Sequence, residues 1–467
     1  DVIGVECGVV DERRTAGPHD AAADALVDGL RPARDVEPLR RRAAERERLQ
    51  AVAVDAGHVR QEEPEAVVQL RDDGRGDPLR AGSPFGMIAP ALRHAAGIRD
   101  GEPVEVRRQK LSARVMRNAS TDMQRTTQFL GELIGTPFPE GFSVELRAAR
   151  QDPMLMGDQM RRAFEHFLAI ETSVQPVVIV LEDLHWGDLP TTSMIDGALR
   201  SLPDRAWMVL ALARPEVHDL FPRLWGERNV QELRLDPLTR KGAERLVRGL
   251  LGAPATDTLV NRIVDQAGGN AFYLEELIRA VAEGKGDAIP ETVLAIVQGR
   301  LERIEGDARR VLRAASVFGH RFWRGGVTAL LGGAAREAGA KLWLDELVER
   351  ELVARSPTSR FPAEDEYLFR NAMVREAAYA MLTASDQRLG HQLAGAWLAT
   401  AGEGDAIVLA EHFERGHDLA RAAEAFLRAA EQALAASDFR ATIANGERGV
   451  ACGAKGELLG ALRVAQA

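Results

Sequence analysis

The sequence predicts an α/β region built on a partial parallel sheet, followed by a longer helical region that ends in paired helices. Three observations predict it. Apolar runs at 177–181 and 207–213 flank a segment of helical periodicity, the strand–helix–strand unit of an α/β sheet. Beyond Pro237 the pattern is mostly helical. From Ile407 onward, Ala and large apolar residues alternate through one helix-length segment after another.

The chain has 467 residues, too many for one compact core, so two to four domains are expected at ~150 residues each. Hydrophobic residues make up 45% and charged residues 28%, and the net charge is -10. This composition suits a globular protein and offers no broad basic surface to nucleic acid. Cys7 and Cys452 are too few and too far apart for a disulfide framework or a cysteine-based zinc site, and they suit a reducing cytoplasm. The apolar stretch 206–213 is far too short to span a bilayer, so no membrane association is expected. No secretion signal opens the chain, and the lack of an initiator Met suggests a fragment.

Residues 1–75 contain no Lys, Ser, Asn, Phe, Tyr, Trp or Met. A segment without aromatics buries little area, so the entropy of ordering it is hard to offset. A poorly ordered or non-cognate leader is expected there. Gly82-Ser83-Pro84-Phe85-Gly86 opens a helical pattern that runs to Ala96. Asp152-Pro153 starts another, with Met156, Met160, Ala163, Phe164, Phe167 and Leu168 on one face. Pro176 ends it. Val177-Val178-Ile179-Val180-Leu181 then reads as a strand buried on both faces. Residues 189–201 are expected to be helical, as are 290–301 and 308–317. Residues 352–355 and 367–370 read as two short strands around Pro357-Thr358-Ser359, which with the helices suggests a winged-helix subdomain. Near the C-terminus, Asp418 and Ser437-Asp438 mark helix starts. The spacing suits helical hairpins of the tetratricopeptide kind and equally a plain helical bundle.

The segment Val178-Ile179-Val180-Leu181-Glu182-Asp183-Leu184-His185-Trp186-Gly187-Asp188 carries the most chemistry. A buried strand delivers two carboxylates to its C-terminal edge, where ligands of α/β sheets bind. One carboxylate there can hold Mg²⁺ and the other can orient a water for attack on a terminal phosphate. The alternative is a solvated strand-to-loop turn. Taken whole, the string resembles the Walker B segment of bacterial STAND-type signalling ATPases within the AAA-like superfamily.

The resemblance continues in order. Ala213-Arg214-Pro215-Glu216 ends the second strand, where the family places a sensor residue, and implies that Arg214 touches the terminal phosphate. Gly268-Gly269-Asn270-Ala271-Phe272-Tyr273-Leu274-Glu275-Glu276 resembles the family's Gly-Gly-Asn-Pro motif, with Ala271 in place of the Pro that abuts adenine. It implies that Gly269 and Asn270 line the nucleotide; the plain alternative is a loop and an Asn-capped helix. Ile289-Pro290-Glu291 and Arg313-Ala314-Ala315-Ser316-Val317-Phe318-Gly319 are similar to the family's winged helix. Phe369-Arg370-Asn371-Ala372-Met373 resembles a segment that often carries a nucleotide-sensing His, here Asn371. Asn cannot carry a positive charge.

The resemblance covers Gly82 to the C-terminus. It implies a leader at 1–75, an ATPase α/β core at 76–236, a helical lid at 237–300, a winged-helix-like subdomain at 301–400 and tetratricopeptide-like repeats at 401–467. It also implies ATP/ADP and Mg²⁺ as ligands, with Glu182 and Asp183 as catalytic and metal-holding residues. Related assemblies regulate output domains such as serine/threonine kinases, adenylate cyclases or transcriptional regulators, and recruit protein partners through their repeats. One part is missing: no Gly-x-x-x-x-Gly-Lys-[Ser/Thr] loop occurs in the sequence, and residues 1–75 hold no lysine. Kinase signatures are absent as well. The expected function is therefore an ATP-binding signalling module without its phosphate loop. The alternative is a non-hydrolysing scaffold, and a DNA-binding regulator fits the acidic net charge poorly.

Overall fold

The computed structural model of the chain describes residues 2–7, 68–71, 79–118, 121–228, 230–252, 255–282, 293–333 and 337–467. Most of the leader expected at 1–75 lies outside these residues. Two stretches of it, Val2–Cys7 (β1) and Val68–Arg71 (β2), are strands. The chain divides into two compact units. One comprises residues 1–9, 67–234 and 300–467; the other comprises 10–66 and 235–299.

In the first unit, helices Ile88–Ala95 (α1), Val104–Met116 (α2), Met123–Leu133 (α3), Val144–Ala149 (α4) and Pro153–Val174 (α5) lead to the strand Val177–Leu181 (β3). Leu189–Ser201 (α6), Trp207–Leu212 (β4), Val217–Leu220 (α7) and Val230–Leu233 (β5) follow. The sequence logic of α5 holds in detail. Asp152 accepts bonds from the backbone N–H of Met154 (3.0 Å) and Leu155 (3.2 Å), and Pro153 takes the first helical position, where no N–H is needed. The expected face of six residues is buried, and it packs in one core with β3, β4, α1, α3 and α6. Across that core Arg114 and Glu171, both buried, form an ion pair with two parallel hydrogen bonds.

The sheet has five strands in the order β2-β3-β4-β1-β5. It departs from the expected parallel sheet. β2, β3 and β4 run parallel, but β1 lies antiparallel between β4 and β5. Its register sets Val2 beside Leu212 and Cys7 beside Trp207, so β1 begins at the edge where β4 ends.

The second unit contains Arg240–Leu251 (α8), Asp257–Ala267 (α9) and Ala271–Ala282 (α10), which share a small core of Ala243, Val247, Val260, Ile263, Tyr273, Leu274 and Leu277. Val293–Leu301 (α11) is the described part of the helix expected at 290–301.

Back in the first unit, Gly306–Ser316 (α12), Arg324–Leu330 (α13), Glu337–Glu349 (α14) and Ala372–Ala380 (α15) surround a sheet of Arg321–Trp323 (β6), Val353–Arg355 (β7) and Glu366–Phe369 (β8). The two expected strands, β7 and β8, pair antiparallel, and β6 adds to β8, giving the order β6-β8-β7. Ala384–Ala401 (α16), Ala406–Arg415 (α17), Leu419–Ala435 (α18), Phe439–Ala451 (α19) and Gly456–Gln466 (α20) then pack each on the next. Asp418 and Asp438 cap α18 and α19 through the N–H groups of Arg421 and Ala441. Alanines fill the α17–α18–α19 seams because a small side chain lets helix axes approach closely; Ala422, Ala423, Ala425, Ala429, Ala430 and Ala433 are all buried. The molecule is thus mostly helical with few strands. No helix among the described residues is long and apolar enough to cross a membrane.

Candidate functional site

β3 is buried at Val177, Ile179 and Leu181 and half-buried at Val178 and Val180. Its end delivers Glu182 and Asp183, both half-buried, to the edge where β2 and β4 also end. Asp183 turns the chain. It sits in the left-handed region (φ 57°), which Asp tolerates better than most residues, and its carbonyl accepts the N–H of Trp186 at 2.8 Å to start the short 3₁₀ turn Leu184–Trp186. Its carboxylate has no hydrogen-bond or ion-pair partner among the described residues.

His185 ties this turn to the next strand. Its Nδ1 accepts the backbone N–H of Arg214 at 3.2 Å, which places the proton of the neutral ring on Nε2. That Nε2 is buried without a partner among the described residues. Burial lowers the His185 pKa below its ordinary value, so the ring stays neutral at pH 7. The Arg214 side chain is exposed at the end of β4. Glu182, Asp183 and Arg214 therefore share one sheet edge, as the sequence led us to expect.

Asp188 is the residue whose role the motif reading missed. It is 3% exposed and caps α6: its carboxylate accepts the N–H of Thr191 (2.7 Å) and the hydroxyl of Thr191 (2.8 Å). The same carboxylate accepts the N–H of Phe85 (2.9 Å) and that of Met87. Burial pushes its pKa up to about 6 in spite of these four donors. An Asp ahead of Leu189-Pro190-Thr191 is a legible cap signal, but the reach to Phe85 and Met87 is not. Those two residues belong to a loop that continues outward. Ser83 donates to Asp405 at 2.6 Å, and Arg80 bonds Glu403 at 3.2 Å. Glu403 also receives Arg360 at 2.6 Å, so one buried glutamate holds the α/β region, the β7–β8 loop and the start of α17 together.

Gly269 and Asn270 lie in the other unit and are described by themselves. Gly268 (φ 56°) closes α9 and Gly269 (φ 82°) makes the turn. A Cβ on Gly269 would fall 2.7 Å from the Pro237 Cβ, so a larger residue is excluded there. The Leu238 N–H donates to the Gly269 carbonyl at 2.8 Å. Asn270 Oδ1 accepts the Tyr273 N–H at 2.9 Å and so caps α10, the plain reading of this motif. Asn371 likewise caps α15 through the Met373 N–H at 2.7 Å.

The acidic edge suits the metal and water side of a nucleotide site: it offers two half-buried carboxylates, one of them without a described partner, and an exposed Arg. The phosphate side does not fit. A phosphate loop must leave the C-terminal end of a strand at this edge and enter a helix whose N–H groups face the anion. β1 runs the wrong way and exits at the opposite edge. β2 does end at the right edge, but Asp72-Asp73-Gly74-Arg75-Gly76-Asp77 follows it, without a lysine. No group of three His, Cys, Asp or Glu side chains able to hold a metal occurs among the described residues.

No family model matches the chain. An uncharacterized protein of Rhizobium meliloti (strain 1021) is 26% identical over 317 residues, which cover 62% of this chain and 29% of that protein. The chain thus matches less than a third of that relative's length. A solved structure of a Signal Transduction ATPase with Numerous Domains, with a tetratricopeptide repeat sensor, from Pyrococcus horikoshii is similar over 86% of this chain and 56% of that one, at 10% identity and a TM-score of 0.39.

Proposed function

We propose that this chain is the nucleotide-responsive and repeat-bearing part of a cytoplasmic signalling ATPase of the STAND type, which regulates an output domain such as a serine/threonine kinase. The observation that carries it is the pair Glu182-Asp183 at the end of β3, tied through His185 to Arg214 at the end of β4. Bound Mg²⁺ with ATP would supply an electrophilic terminal phosphate. One carboxylate of the pair would hold the metal through water, and the other would orient a water at that phosphate. Arg214, exposed after β4, would contact the terminal phosphate. In the 237–300 lid, the family resemblance assigns Gly269 and Asn270 to the nucleotide; residues 301–400 act as the winged-helix-like subdomain and 401–467 as tetratricopeptide-like repeats that bind a protein partner. Because the phosphate loop is missing from these 467 residues, the chain alone binds ATP weakly.

The test restores what is missing. A strand–phosphate loop–helix segment fused before Gly82 should restore Mg-ATP binding, and Asp183→Asn or Glu182→Gln in that fusion should spare binding more than turnover. Equal loss of binding and turnover in both variants would remove the carboxylates from their assigned roles. A second reading, a non-hydrolysing scaffold, is favoured by one observation: Phe439 and Ile443, one helical turn apart on α19, are both about half exposed. It predicts that the fusion gains no ATPase activity while partner binding through α19 persists.

A further inference from the structure

Tyr379 on α15, His391 on α16 and His412 on α17 form a hydrogen-bonded chain where the three-stranded-sheet region meets the helical hairpins. The Tyr379 hydroxyl lies 2.9 Å from His391 Nε2, and His391 Nδ1 lies 3.0 Å from His412 Nδ1. Both rings are buried: His391 is 2% exposed and His412 0%. Two glycines on α16 bring the helices this close. A Cβ on Gly395 would fall 2.8 Å from the Phe413 ring, and one on Gly390 would fall 3.1 Å from the Val317 side chain.

The geometry suits two neutral rings held away from water. The Nδ1–Nδ1 bond needs one proton between two nitrogens, so one ring donates and the other accepts. If Tyr379 donates to His391, then His391 donates to His412, whose remaining proton sits on Nε2. If the chain runs the other way, His412 donates and its Nε2 keeps a lone pair. In both arrangements His412 Nε2 is buried without a partner among the described residues. A first added proton leaves both hydrogen bonds possible, with the Tyr379 oxygen accepting from His391, but it buries a charge; a second puts two N–H groups face to face across 3.0 Å.

We propose that this Tyr379–His391–His412 chain is an acid-sensitive lock, which holds α17 and the helices after it against the preceding sheet region at neutral pH and releases them when it is protonated.

The charges around the pair point the same way. Arg375 on α15 and Arg415 on α17 are the charged side chains acting on the rings, and both are cations. Of the other packed elements, α12 ends against His412 with the Phe318 ring. α13 carries Arg324, paired with Asp365, and α18 carries Arg421, paired with Asp418. No carboxylate among the groups acting on either ring could stabilise an imidazolium. Burial accordingly pushes His391 down to about 3 and His412 well below its ordinary value. Once exposed, each ring regains a pKa of about 6.5, so protons favour the open state. The bias is absent above about pH 6.5 and grows about tenfold per histidine for each pH unit below it.

Four buried carboxylates act in the opposite direction. Asp188, Asp405, Glu366 and Asp438 are all shifted upward by burial, so acid steadies their surroundings instead.

The test is hydrogen exchange on the full chain between pH 6.5 and 5.0, corrected for intrinsic rates and comparing the amides of Ala406–Arg415 with those of Met123–Leu133. The lock predicts that the opening constant of the first set rises about 250-fold, with the slope approaching two protons at the acid end, while the second set changes far less. In His391→Gln the slope should fall to one proton. An unchanged opening constant in the wild-type chain, an equal rise in both helices, or an unaltered slope in a folded variant would each overturn the proposal. If the variant does not fold, the wild-type slope decides alone.

Discussion

Two buried polar clusters sit at joints of the first unit and are built on opposite principles. Asp188 is an ion-capable group surrounded by donors: two backbone N–H groups from residues 79–87 and the N–H and hydroxyl of Thr191. The His391–His412 pair is neutral, short of partners and faced by two arginines. The first cluster costs desolvation and offsets part of it in hydrogen bonds, so it gives geometry. The second leaves a nitrogen unpaired and so responds to protons. Burial alone predicts neither behaviour; what matters is which groups face the buried atom.

The largest expected effect comes from breaking the satisfied cluster. Asp188→Ala leaves three backbone N–H groups and a hydroxyl unpaired and should cost about 3–4 kcal/mol by denaturant unfolding. A cost below about 1 kcal/mol would mean that water replaces the carboxylate and the joint is not held there. Glu403→Ala should come next, at about 2–3 kcal/mol. It frees Arg80 and Arg360, but both arginines are about a third exposed and recover hydration.

The pH dependence sharpens the contrast. Asp188 has a folded pKa raised to about 6 from 3.8, so its contribution is fully present below 3.8 and is lost as pH rises through 6. His391 has a folded pKa lowered to about 3 from 6.5, so its contribution is present above 6.5 and is lost as pH falls towards 3. Asp188→Asn should flatten the first slope and His391→Gln the second, in unfolding curves taken from pH 4 to 7.5. If either variant flattened the other's slope, the two clusters would not be independent. The double change His391→Leu with His412→Leu should alter stability at pH 7.5 by no more than about 1 kcal/mol, because removing both partners of a poorly satisfied pair leaves little behind.

The smallest effect concerns Asn270. If it serves only as the cap of α10, Asn270→Ala should cost about 1 kcal/mol within its own unit. In the phosphate-loop fusion it would then leave nucleotide affinity unchanged; a tenfold drop there would restore its assignment to the nucleotide.

What was legible in the sequence had local causes. Asp152-Pro153 fixed the start of α5, the spacing of Met160, Phe164 and Phe167 fixed its buried face, and the run from Val177 to Leu181 fixed β3 and the place of Glu182 and Asp183. The strands flanking Pro357 were readable for the same reason. What was not legible depended on partners far along the chain. Phe85 and Asp188 are 103 residues apart, and nothing near either announces the bond. β1 comes from a stretch whose composition argues against order, and its antiparallel insertion between β4 and β5 follows from neighbours more than 200 residues away. The glycines of the Gly268-Gly269-Asn270 motif were legible as a turn and helix cap, because both causes are local. Histidines 391 and 412 stand on separate helices, and only packing brings them together.

The central claim is that the β3 edge supplies one side of a nucleotide site and that the other side is missing from this chain. Calorimetry of the unmodified chain with ATP and Mg²⁺ tests it most directly. The missing side is a ring of loop amides and one lysine that would neutralise about three phosphate charges, and Arg214 cannot replace it. The predicted result is a dissociation constant on the order of a millimolar or weaker. A dissociation constant in the micromolar range would contradict the account.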